Sequence, residues 1–246
     1  MELGERLDFE AAWHLYETGE FHSLGRLAHQ VRINKRPADY VSYVVDRNIN
    51  YSNICVCGCR FCAFYRTPGH AEGYVLTHEQ LGRKIEETLS LGGTQILMQG
   101  GHHPDLPLSF YEEMLRFIKN GYPIHIHAFS PPEIVHFSKL EKLSCAEVIV
   151  RLRAAGLDSI PGGGAEILVD SVRCRVSPNK CSAGEWLAVM EEAHNQGMRT
   201  TATMMFGHLE QPRDRLEHLF ALRDLQDRTG GFTAFIPWAF QSKNTA

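Results

Sequence analysis

Apolar, β-rich runs recur along the chain, each followed by a loop containing Gly or Pro and then by apolar residues at helical spacing. The runs are Ile49–Val56, Thr94–Gly101, Ile124–Ser130, Leu157–Pro161, Thr200–Gly207 and Phe232–Phe240. Short apolar runs bounded by turn residues mark buried strands. Between the first two, Thr77–Leu91 reads as a helix: Thr77 is placed to cap it, and Leu81, Ile85, Thr88 and Leu89 fall on one face. Ser182–Gln196 opens with Ser182 and Glu185 at capping-box spacing and ends at Gly197. The runs start roughly 30 to 45 residues apart, room for a crossover helix each time, which makes the strands parallel. Such crossovers are right-handed. The expected class is therefore α/β, as an open doubly wound sheet or a closed or partial (β/α) barrel. In either, chemistry belongs beyond the carboxyl ends of the strands. Residues 1–45 read as a preceding helical segment whose Phe9, Trp13 and Tyr16 pack rather than react, and residues 46–246 as the α/β core.

Composition narrows the partners. With 25 Lys and Arg against 29 Asp and Glu, the 246-residue chain has a formal net charge of −4. It lacks the broad basic field of non-specific nucleic-acid binding, so no nucleic-acid partner is expected. No apolar run approaches the roughly 18 residues of a membrane-spanning helix. The start, MELGERLDFEAAWHLYE, is charged and amphipathic, without the apolar region or cleavage site of a signal peptide. No membrane partner and a cytoplasmic location are expected. Four of the seven cysteines lie within positions 55–62, which is no disulfide framework. In a reducing compartment such a cluster binds metal or does redox chemistry.

Cys55, Cys59 and Cys62 have the spacing C-x3-C-x2-C, with Phe61 just before the last, in the loop after the first run. Three thiolates from one short loop can ligate three irons of a cubane 4Fe-4S cluster, which leaves the fourth iron open. A zinc site would want a second pair of ligands, and no such pair is found. A thioredoxin-like pair could use Cys59 and Cys62 but would leave Cys55 unexplained. A set of inert buried thiols is the third alternative. Cys57 is either a spare thiol or an alternative fourth ligand, while Cys145, Cys174 and Cys181 have no partners at ligand spacing.

This motif, with its aromatic, resembles the radical S-adenosylmethionine (SAM) superfamily. The blocks RNINYSNICVCGCRFCAFYR, ILMQGGHHPDLP, HIHAFSPPEI, GLDSIPGGGAEILVD, TTATMMFGH and GGFTAFIPWAFQ resemble, more narrowly, the dehypoxanthine futalosine cyclases of menaquinone biosynthesis, from about Arg32 onward. The resemblance implies a radical-SAM (β/α) barrel of the partial TIM type, with about six parallel strands present. It also implies a 4Fe-4S cluster and SAM as cofactors, with SAM chelating the open iron. The reaction implied is cyclisation of dehypoxanthine futalosine through a 5′-deoxyadenosyl radical, with an electron donor such as flavodoxin or ferredoxin. The related aminofutalosine synthases and deazaflavin-pathway enzymes stand as alternatives, as does a non-catalytic iron–sulfur or zinc protein. Family members continue past the point where this chain stops, so the part that closes the barrel is expected to be lacking and an edge left exposed.

The resemblance also implies roles for single residues. Gln99, Gly100 and Gly101 would lie near the methionyl amine of SAM, and Phe61 against its adenine. Glu166, in Gly162-Gly163-Gly164-Ala165-Glu166, would accept from ribose hydroxyls or the ammonium; the plainer alternative is a carboxylate at a helix N-terminus. His125 and His127 share the third strand, where only one is expected to face the interior; His127, with Ser130 beyond it, is the substrate-facing candidate. Loss of a ring proton needs a base, for which His127, Glu166 and His208 are candidates. His102-His103 reads as a turn beside Pro104-Asp105 rather than a metal pair. Arg173, Arg175 and Lys180 form either a solvated face or a contact to a carboxylate. Pro237 and Trp238 either plug the cavity or stack on the substrate.

Overall fold

The computed structural model describes residues 6–36 and 39–245. The chain divides into two compact units, Met1–Val44 and Val45–Ala246. The first holds helices α1 (Phe9–Thr18) and α2 (Phe21–Lys35). Asp8 caps α1 by accepting from the Ala11 N–H at 2.8 Å. Glu20 caps α2 through the His22 and Ser23 N–H groups. Trp13 and Tyr16, one helical turn apart, stack with centroids 6.1 Å apart.

The second unit alternates strands and helices. In order it runs β1 (Asp46–Asn50), α3 (His78–Ser90), β2 (Gln95–Gln99), α4 (Leu108–Gly121), β3 (His125–Ala128), α5 (Pro131–Glu141) and α6 (Cys145–Ala155). Then follow β4 (Ser159–Ile160), α7 (Asp170–Val176), α8 (Ala183–Asn195), β5 (Arg199–Phe206), α9 (Pro212–Thr229) and β6 (Phe232–Ala239). All five strand pairings are parallel and the spatial order is the sequence order, β1 to β6, a curled half-barrel. Ile96, Met98, Ile126 and Ile160 on the strands pack with Leu81, Ile85, Leu115, Ile134, Leu152 and Trp186 on the helices as one buried core. The predicted helices form as read. Thr77 Oγ1 accepts from the Gln80 N–H while Gln80 answers the Thr77 N–H, and Ser182 and Glu185 cap α8 reciprocally.

Three strands depart from the apolar pattern. β1 lies three residues earlier than the run at Ile49–Val56, because its first half, Asp46-Arg47-Asn48, is polar. Those residues are held instead by the ladder to Gln95, Ile96 and Leu97 and by an ion pair from Arg47 to Glu87. Residues after Asn50 leave the ladder and make single bridges, Ser52 to Val75 and Ile54 to Arg66. β4 shrinks to two residues: Pro161 has no N–H to give, and the Gly162 N–H turns to Thr201 Oγ1 at 3.1 Å. Strands of parallel sheets are ordinarily covered on both faces, yet on β6 Phe235, Ile236 and Trp238 are 40%, 42% and 41% exposed.

Candidate active site

A cavity of about 240 Å³ lies beyond the carboxyl ends of the strands. The loop after β1 contributes Cys55, Cys59, Phe61 and Cys62; the end of β2 contributes Gln99, Gly100, Gly101 and His102. Ser130 and Glu133 reach it from the start of α5, Gly163, Gly164 and Glu166 from the loop after β4, and Lys180 and Trp238 add to the wall. Of the residues singled out in the sequence, the three cysteines, Phe61, Gln99, Gly100, Gly101, Ser130 and Glu166 therefore share one cavity.

The cysteine loop is pinned at several points. The Cys55 N–H donates to Arg66 O at 2.9 Å, the Val56 N–H to His102 O at 3.1 Å and the Arg60 N–H to Val176 O at 2.9 Å. Gly101 admits this loop because it has no side chain: a Cβ there would stand 2.1 Å from the Ile54 carbonyl oxygen and 2.9 Å from the Cys55 Cβ. Cys57 is set apart from the other three. It is buried and outside the cavity lining, with its Sγ 3.1 Å from His102 Nδ1. A hydrogen bond from the Cys57 thiol, against the opposing effect of burial, pulls Cys55 down to about 6, and the positive charge of Lys180 adds to it. Cys59 is lowered for the same reasons, and Cys57 is pushed up by its two neighbours. A lowered thiol gives up its proton more readily, and the thiolate is the form that binds metal. Among the described residues no three His, Cys, Asp or Glu side chains converge as ligands of a single ion; a cubane asks for one thiolate at each of three separate irons. Three lowered or cavity-facing thiols on one pinned loop suit such a cluster.

Across the cavity stands Glu166, buried, at φ +43°, a backbone region that non-glycine residues occupy at a cost. The Met205 N–H holds its carbonyl at 2.9 Å. α7 begins only at Asp170, so Glu166 is not a helix N-terminal residue. Its carboxylate takes Lys180 Nζ at 2.9 Å. Burial opposes the charge, but Lys180 and then Arg173 outweigh it and keep the carboxyl below its usual range. Lys180 Nζ also sits 5.2 Å from the centre of the Phe61 ring. The basic stretch therefore splits three ways. Arg173 is buried and serves the backbone, donating to the carbonyls of Gly164, Ala165 and Cys181. Arg175 is exposed, and Lys180 enters the cavity. Gln99 lies over Gly163, its Nε2 only 2.0 Å from where a Cβ would be, so the bare glycine lets the Gln99 side chain keep this place.

His127 and His208 lie outside the cavity lining. His127 is buried deeper in the half-barrel, 2.7 Å from Ser159 Oγ and 3.3 Å from Thr201 Oγ1. Burial lowers it to about 4, so it is a neutral imidazole. The expectation that only one of His125 and His127 faces inward is corrected: both reach the same Ser159 Oγ, His125 at 2.8 Å. Residues two apart on a strand share a face. His208 is tied into its own turn, with Nε2 3.0 Å from Met205 O and Nδ1 accepting from the Leu209 N–H. Lys180, His102 and Glu133 also line the cavity, outside the expected set of site residues. The sequence leaves Lys180 open between a solvated face and a contact to a carboxylate of SAM or substrate, and reads His102 as part of a turn; the structure pairs Lys180 with Glu166. Glu133 bore one legible sign, its capping-box distance from Ser130 ahead of Pro131.

Comparison with known proteins bears on the family and the fold. Residues 49–222 match the family model of the radical SAM superfamily. A cyclic dehypoxanthine futalosine synthase from Halalkalibacterium halodurans is 48% identical over 243 residues, 98% of this chain and 66% of that protein. A 5-amino-6-(D-ribitylamino)uracil–L-tyrosine 4-hydroxyphenyl transferase from Methanopyrus kandleri is 43% identical over 220 residues, 89% of this chain and 59% of that protein. The chain thus spans less than two-thirds of the length of either. Among solved structures, the FeFe-hydrogenase maturase HydG from Carboxydothermus hydrogenoformans superimposes with a TM-score of 0.74 at 20% identity, over 97% of this chain and 54% of that one. At that identity the likeness concerns the fold.

Proposed function

Since this chain belongs to the radical SAM superfamily, whose members use a 4Fe-4S cluster and SAM, we propose that Cys55, Cys59 and Cys62 hold the cluster and that the reaction served is cyclisation of dehypoxanthine futalosine in menaquinone biosynthesis. Bound in the cavity, the two groups would supply radical chemistry able to abstract hydrogen from the substrate ribose. The chain's own residues then bind, orient and shield. Phe61 offers a ring to the adenine, the Gln99-Gly100-Gly101 backbone offers carbonyls to the methionyl ammonium, and Glu166 accepts from ribose hydroxyls or the ammonium. Ser130 faces the substrate side. Of the three candidate acceptors for the ring proton, Glu166 is the one in the cavity; His127 and His208 would need substrate to reach them outside it. The electron comes from a small carrier of the flavodoxin or ferredoxin type. We place the reaction in the cytoplasm, where thiols stay reduced; no helix among the described residues is long and apolar enough to cross a membrane.

The observation that carries this reading is the gathering of three motif cysteines, Gln99-Gly100-Gly101 and the Glu166–Lys180 pair around one cavity. The test is anaerobic incubation with SAM, a reductant and dehypoxanthine futalosine, and appearance of the cyclised product is expected. A second reading, transfer of a tyrosine-derived hydroxyphenyl group, is favoured by the relative at 43% identity over 89% of the chain. It predicts product only when tyrosine and the ribitylaminouracil are supplied, and that result would replace the cyclase reading.

A further inference from the structure

Glu133 stands at the third helical position of α5, where a carboxylate can answer the N-cap residue. Its contacts exceed that duty. Oε2 accepts from the Ser130 N–H at 2.8 Å and from Ser130 Oγ at 2.6 Å. Oε1 reaches off the helix, accepting from Tyr51 Oη at 2.6 Å and from the Gly100 N–H at 3.0 Å. Four donors use the acceptor sites of both oxygens, and the side chain is 2% exposed. Two other caps in the chain give the internal comparison. Glu147 serves Ser144 and Glu185 serves Ser182 by the same local geometry, but both are exposed and neither takes a donor from a strand end.

The donors on Glu133 come from three successive strand ends: Tyr51 just after β1, Gly100 just after β2 and Ser130 just beyond β3. The Tyr51 ring occupies the space above Gly100, where a Cβ would lie 2.3 Å from it. The contact to the Gly100 N–H fixes the plane of the Gln99–Gly100 peptide, since that unit is rigid. Gln99, Gly100, Ser130 and Glu133 all line the cavity. With every lone pair engaged, this carboxylate is built to hold backbone rather than to take a proton from a ligand. Resting on the reading of the cavity given above, we propose that Glu133 is a positioning residue for SAM: it locks the first three strand ends so that the Gln99-Gly100-Gly101 segment keeps a fixed place opposite the cysteine loop.

The decisive variant is Glu133→Gln in the full chain. Each oxygen of Glu133 faces a backbone N–H, so in either orientation the amide sets its NH2 against one of them. In the chain without cofactors, hydrogen exchange at the Gly100 or Ser130 amide is expected to quicken by at least about tenfold, the worth of one good buried hydrogen bond. In the cluster-loaded chain at unchanged iron content, SAM should bind about tenfold more weakly, read from its effect on the EPR spectrum of the reduced cluster. Unchanged exchange and unchanged affinity would overturn the proposal. So would an affinity that falls only in step with the folded fraction, which marks a scaffold role alone. If Glu133→Gln does not fold, Tyr51→Phe removes one donor and leaves both N–H contacts; about threefold weaker SAM binding supports the clamp and none overturns it. A wild-type chain that holds its cluster yet shows no response to SAM refutes the reading of the cavity, and the exchange measurement still decides whether the clamp exists.

Discussion

Lys180 and Glu166 show how much a single pair can decide. The Lys180 side chain is 15% exposed and that of Glu166 is 2%, so each charge depends on the other. Removing one partner of a buried pair leaves an uncompensated charge. Lys180→Met is expected to lower stability by about 3 kcal/mol in chemical denaturation. Adding Glu166→Gln should restore more than half of that loss, because the stranded carboxylate is gone. The cysteines allow an equally direct check. Cys59→Ala is expected to abolish bound iron on anaerobic reconstitution while far-UV circular dichroism is retained, since Cys59 contributes to the cavity wall and not to the core of strands and helices.

Between elements, the two glycines at strand ends behave differently for a physical reason. A Cβ on Gly101 would strike the backbone carbonyl of Ile54 at 2.1 Å, and backbone pinned by its neighbours cannot retreat. Gly101→Ala is therefore expected to lower the melting temperature. A Cβ on Gly163 would strike Nε2 of Gln99, the free end of a flexible side chain. Gly163→Ala should leave the melting temperature nearly unchanged and instead turn Gln99 out of its place, weakening SAM binding. If both variants melted alike, the distinction between rigid and yielding neighbours would be wrong. The elements also show where sequence patterns fail. Hydrophobic periodicity finds strands that bury side chains and misses the polar half of β1, whose place is set by its ladder to β2. It reads β6 as a buried strand, although which faces are covered depends on what packs there.

For the molecule as a whole, acid is the informative perturbation. His127 on β3, His194 on α8 and His218 on α9 are each lowered by burial from the ordinary 6.5 to about 4. The folded chain keeps them neutral, whereas the unfolded chain takes up protons below 6.5. Stability is therefore complete above that value and declines as pH falls toward 4. Glu210 adds a further decline. Burial opposes its charge, but the Gly207 and His208 N–H groups and Arg215 hold it at about 2, so its contribution is lost between 4.5 and 2. Urea midpoints measured across this range should fall steadily below 6.5, and His127→Gln should reduce the slope. A flat profile between 6.5 and 4 would show that these imidazoles are not neutral in the folded chain.

The sequence by itself determined what is local or periodic: the alternation of strands and helices, the caps at Thr77 and Ser182, and the cysteine spacing with its aromatic. Those features depend on residues a few positions apart, and their physics is complete within one segment. The tertiary structure decided what depends on distant partners. It separated Lys180 from Arg173 and Arg175, turned Cys57 toward His102, set His127 and His208 outside the cavity, and made a helix-capping glutamate the meeting point of three strand ends. A side chain's charge and hydrogen-bonding capacity are written in its type, but what it meets is fixed only when the strands lie side by side.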